Sequence, residues 1–231
     1  MKYFGKGLSE KHKELNKIIR KARQIDQAKS LFLELHSYLH LSRVSNTKVN
    51  EVDKLIADLN GHEYAIMPGS KDETIAWALW HIARIEDLTM NFLVAEEKQL
   101  FDENWQNKMN VSITDTGNAL SDDEIMDLSK SIDKAELINY RNAVGKRTRR
   151  IIAGLCAEDM KRRVPQSGLD SIMEQGGVTN EEESIWLLDF WKKKDVAGIL
   201  LMPPTRHVIL HLNDCCKWKQ AIRMKKKYYL S

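Results

Sequence analysis

Met202-Pro-Pro-Thr-Arg-His-Val-Ile-Leu-His-Leu-Asn-Asp214 is the stretch on which the reading of this chain turns. Two prolines, a threonine and an unbroken run of helix formers predict a helix start, because proline in a first turn lacks only an N–H that the helix does not use. On that helix His207 and His211 stand four residues apart. Their Cβ atoms are then about 5–6 Å from each other, so both imidazoles can reach one metal ion. In a first turn the positive end of the helix dipole also disfavours imidazolium and keeps His207 neutral, as a ligand must be.

A site on neutral imidazoles needs a further ligand, and His81 in Thr74-Ile-Ala-Trp-Ala-Leu-Trp-His-Ile-Ala-Arg-Ile-Glu-Asp87 is the candidate. At helical period it shares a face with Trp77, Ala78, Ile85, Leu88 and Phe92, so it points inward from an apolar stripe. A histidine in that position needs a partner. A backbone carbonyl is one, and an ion shared with His207 and His211 is another. Three histidines leave at least one coordination position of a Zn²⁺ or Ni²⁺ ion open to water or substrate, the pattern of catalytic sites.

Other residues near these positions have two readings each. Asp214 can accept a hydrogen bond from a ligand ring or lie solvated on its helix. Cys215 continues the row of His211 and is either a fourth ligand, which would close the site, or a small buried apolar residue. His36 and His40 form a second i,i+4 pair, which could contribute metal ligands or is instead suited to local hydrogen bonding, to exposure or to lining the cavity opposite the metal. Trp77 and Trp80 wall a pocket or pack a core. Glu86 and Asp87 rotate away from the face of His81 and, with Arg84, suit ion pairs to neighbouring helices.

The helix carrying "WHIARIED", followed more than a hundred residues later by a helix opening on "RHVILH", resembles the DinB/YfiT-like superfamily of metal-binding four-helix bundles. In that family one histidine comes from the second bundle helix and an H-x-x-x-H pair from the fourth, which here match His81, His207 and His211. The resemblance runs from the first bundle helix through the last. It implies a metal-dependent enzyme; characterised relatives are transferases that use thiols such as bacillithiol or mycothiol, and a thiol-dependent isomerase. It also implies a homodimer. The activity expected from it is activation of a thiol or water for transfer to a small electrophile, and the alternative is a non-catalytic metal-binding bundle that serves under stress.

The rest of the chain agrees with an all-α, four-helix bundle carrying short extra helices in long connections. Its 231 residues suffice for one domain over 1–231, with 42% apolar and 30% charged residues in the ordinary globular range. No segment alternates with period two. The first bundle helix reads as one long helix, straight or bent, from Leu8 to about Leu41. The second starts near Lys71 behind a Ser70-x-x-Glu73 capping box and runs to about Glu97. A third runs from Asp133 through Leu155, and short helices are expected over 49–59, 121–131 and near 180–191.

No apolar run is long enough to cross a membrane. The N-terminus lacks a signal-peptide pattern, and three cysteines make no disulfide framework, so a cytoplasmic location is expected. From Lys217 to Tyr229 the last helix carries six basic residues and no acid, complementing its dipole. Trp218, Tyr228 and Tyr229 could stack on bases, but nothing else points to nucleic acid.

Overall fold

The computed structural model describes residues 3–5, 7–68 and 73–229, the side chains of 226–229 excepted. Among these residues helices α1 (Leu8–Ile18) and α2 (Ile25–Ser37) replace the single long first helix expected from the sequence. Lys21 is extended between them, and the two pieces pack on each other, which one straight helix could not do. Then come α3 (Ser42–Ser45), α4 (Glu51–Ile56), α5 (Ile75–Leu88), α6 (Glu103–Met109), α7 (Asp122–Ser131) and α8 (Lys134–Gly154), followed by α9 (Gln166–Glu174), α10 (Glu182–Lys192), α11 (Val196–Leu200) and α12 (Val208–Tyr229). No strand occurs among them, and no helix is long and apolar enough to cross a membrane.

The bundle is made of α2, α5, α8 and α12, with α5 at its centre against α8 and α12. Thr74 starts α5 by accepting a hydrogen bond from the Trp77 N–H at 3.0 Å. The expected capping serine, Ser70, and Lys71 lie outside the described residues. All fourteen residues of α5 are buried, the mark of a helix enclosed on every side. It continues as a wider π-type winding over Thr89–Ala95 until Glu96 turns left-handed, close to the expected end at Glu97.

Such a helix can carry polar side chains only if each finds a partner. The first face does so on the long connection before α7. Trp77, Trp80, His81 and Arg84 bond the carbonyls of Gly117, Asp115, Thr116 and Thr114 at 2.7–3.0 Å. That connection is thereby strapped along α5. Arg84 and Asp87, expected to reach neighbouring helices as ion pairs, instead pair with each other at 3.3 Å. The Tyr140 hydroxyl of α8 donates to Asp87 at 2.7 Å.

One close contact on α8 gives a clear prediction. A Cβ on Gly145 would lie 2.5 Å from Nδ1 of His40, a ring that is fully buried. In an ordinary helix interior Gly→Ala is stabilising by about 1 kcal/mol. Here the added methyl wedges a buried ring, and overpacking of this kind destabilises by about 1–3 kcal/mol. Gly145→Ala is expected to lower the urea midpoint, and a raised midpoint would show that the ring moves aside freely.

Candidate metal centre

The prolines that suggested a helix start lie inside a helical path. From α11 the chain passes through a π-type winding over Met202–His207 straight into α12. Pro204 removes the N–H that Leu200 would have used in an α-helix. The Thr205 hydroxyl replaces it, donating to the Leu200 carbonyl at 2.8 Å. The next carbonyl, Leu201, accepts from Nε2 of His12 at 2.7 Å. Wide windings of this kind recur at functional sites. His207 therefore does not sit at a free helix start, and the dipole argument for its neutrality is replaced by burial. Burial, aided by the adjoining His81 and His211 rings, holds its pKa well below the ordinary histidine value.

The structure brings His81, His207 and His211 together. One nitrogen from each lies within 4.8 Å of the others, and the ring centroids are 4.6–4.9 Å apart. His81 donates from Nδ1 to the Thr116 carbonyl at 2.8 Å, which leaves the Nε2 lone pair facing the group. Nε2 of His81 and Nε2 of His207 are 3.0 Å apart. Nitrogens bound at about 2.0–2.1 Å to one ion stand roughly 3.0–3.4 Å apart, so this spacing fits a shared metal. The Trp77 ring stacks on His81 at 4.6 Å and meets His211 edge-on at 5.9 Å. Beside His81 and His207 opens a cavity of about 150 Å³.

A family model described as the DinB superfamily matches residues 48–184. The chain belongs to the DinB superfamily. No curated protein matches it. The matched DinB segment includes His81 but ends before His207 and His211, so for those two it is the fold that completes the group. The three-histidine cluster of this DinB protein is compatible with binding a divalent metal ion.

The remaining sequence candidates divide. Trp77 stands against the cluster. The Asp214 carboxylate accepts a bond from Lys217 at 2.7 Å. Cys215 is fully buried and stands outside the three-histidine group; burial raises its pKa well above that of an ordinary thiol. Lys219 and Arg223 of the basic tail pair with Asp58, and Arg223 also with Glu63.

His36 and His40 are buried in a separate group with Glu86, which sequence reasoning had turned towards ion pairs. Their Nε2 atoms lie 3.0 and 3.1 Å from the two Glu86 oxygens, and the Thr148 hydroxyl donates to Glu86 at 2.7 Å. The two rings stack at 4.2 Å. Burial alone would raise the Glu86 pKa, but the rings bonded to it outweigh burial and keep it well below the ordinary carboxylate value. The signal in the sequence was an i,i+4 histidine pair on the apolar stripe of Leu31, Leu35 and Leu39, which demands a buried acceptor.

These rings link folding to pH. Burial lowers the pKa of His81 and of His40 to about 3, against about 6.5 in a solvated chain. Between those values the unfolded chain binds protons that the folded one does not. Stability is therefore undiminished by these rings above about pH 6.5 and falls as the pH is lowered through the window. The depressed Glu86 carboxyl acts in the same sense at lower pH. The metal-stripped protein should unfold at lower urea at pH 5 than at pH 7.5. Equal midpoints would mean that the rings take up protons inside the fold.

Proposed function

We propose that the protein is a metal-dependent enzyme in which His81, His207 and His211 hold a divalent ion, Zn²⁺ or Ni²⁺, that activates a thiol or water for transfer to a small electrophile. The observation that carries this reading is the convergence of three histidine side chains, two of them lining a cavity. A divalent ion there supplies Lewis acidity that lets a thiol or water ionise near neutral pH. The chain supplies the rest. Thr116 fixes the tautomer of His81, Trp77 holds that ring from its face, and burial keeps His81 and His207 unprotonated.

No carboxylate lines the cavity among the described residues. The described lining thus offers a nucleophile no carboxylate as a base. That favours a thiol, whose ordinary pKa near 8.5 lies far closer to neutrality than that of water. The thiol-using relatives implied by the sequence resemblance point the same way. The test is to load the protein with Zn²⁺ or Ni²⁺ and follow loss of free thiol against a panel of low-molecular-weight thiols and small electrophiles. Metal-dependent consumption of a thiol, absent in His207→Ala, is expected. Equal rates with and without metal would refute the reading.

A further inference from the structure

We propose that the cavity beside the three histidines receives a neutral, apolar part of the substrate about the size of one six-membered ring. This rests on the metal-site reading above and adds to it what kind of molecule the site admits. The walls come from three elements: Ile85 from α5, Trp186, Phe190 and Trp191 from α10, and Met202 and Pro203 from the π-type winding. Among the described residues, Asn118 is the polar residue at the wall besides the two histidines, and no Asp, Glu, Lys or Arg lines the space. An ionised group placed there would lose its hydration without gaining a counter-charge. A neutral apolar group loses nothing comparable and gains from burial.

Size narrows the choice further. The cavity is about 150 Å³, and an apolar cavity of ~150 Å³ is enough to take up benzene. Its aromatic walls are graded from outside to inside. Trp186 is 47% exposed, whereas Trp191 is 1% exposed. The Trp186 indole is pinned by its N–H to the Glu183 carbonyl at 2.9 Å and meets Phe190 edge-on at 5.9 Å. A large ring held half in water at the edge of an apolar cavity offers a face on which a flat group can stack before it enters. The polar end of such a substrate would then lie at the His81 and His207 rings, which also line the cavity.

The test uses the whole chain loaded with Zn²⁺, with metal content measured after desalting, and hydroxamates that share one chelating group. Acetohydroxamate, benzohydroxamate and the anionic monohydroxamate of succinic acid are titrated by calorimetry. Burying a phenyl ring should make benzohydroxamate bind roughly 10- to 100-fold tighter than acetohydroxamate. The succinic compound should bind no tighter than acetohydroxamate. Trp186→Ala and, separately, Phe190→Ala should each narrow the phenyl advantage to less than about fivefold.

Equal affinity for the phenyl and methyl compounds, or an advantage that survives both substitutions, overturns the ring pocket and leaves the metal site standing. A succinic compound that binds as tightly as benzohydroxamate overturns the neutrality of the pocket. Protein that retains no zinc overturns the metal reading and this proposal together; zinc-loaded protein that binds none of the three overturns the open coordination position on which both the catalytic reading and this proposal rest.

Discussion

Alanine at His207 or at His211 is expected to lower zinc affinity at least about 100-fold, because losing even an outer partner of a ligand weakens metal binding by roughly 10- to 100-fold. Both side chains are only partly buried, so the bundle should remain folded and the loss should appear in competitive chelator titrations rather than in the circular dichroism. His81→Ala should lose metal as well, but it also empties a site in the core and should melt at lower temperature. Chelating the ion from the intact protein should remove the binding contribution, about 4 kcal/mol at free metal a thousandfold above Kd, and leave the helices in place. Collapse of the helical signal on chelation would assign the ion a structural role and favour the non-catalytic alternative. Undiminished zinc affinity in both single variants would remove the metal centre from consideration.

Glu86→Ala is expected to destabilise the protein more than any single change at the three-histidine cluster. The carboxylate meets His36, His40 and Thr148 at 2.7–3.1 Å with essentially no solvent contact. Its removal strands three buried donors and leaves a cavity, and removing one partner of a buried charged cluster destabilises by about 3–5 kcal/mol. For a domain of this size that corresponds to a fall in Tm on the order of 10 °C. Glu86→Gln keeps an acceptor oxygen and supplies an N–H for whichever ring presents a lone pair, so its loss should be less than half as large. Comparable losses for the two variants would show that the charge, rather than the hydrogen bonds, holds α2 to α5.

The helical class, the boundaries of α7 and α8 and the coming together of His207 and His211 were legible because each rests on local chemistry. Ser121 and Asp133 cap the helices they precede, and an i,i+4 histidine pair converges whatever surrounds it. What failed depended on partners distant in the chain. The break between α1 and α2 follows from the packing of those two helices on each other. The role of His36 and His40 needed the knowledge that α2 faces the Glu86 side of α5. The strapping of residues 114–117 onto α5 is invisible to periodicity, because its acceptors are backbone carbonyls, which every residue has. The prolines misled for a physical reason: a missing N–H suits a first turn, and it is equally tolerated where a threonine hydroxyl fills the gap.

The wide turn ahead of His207 also fixes how many residues the chain can have there. Each α-helical residue advances the chain by about 100° around the axis. Dropping a single residue between Leu201 and His207 would swing both imidazoles by roughly that angle, away from His81, while the sequence of α12 stayed intact. Spacing at this point is therefore as much a determinant of the three-histidine cluster as the histidines themselves. A natural or engineered variant that shortens it should keep its helices and lose the proposed affinity for zinc.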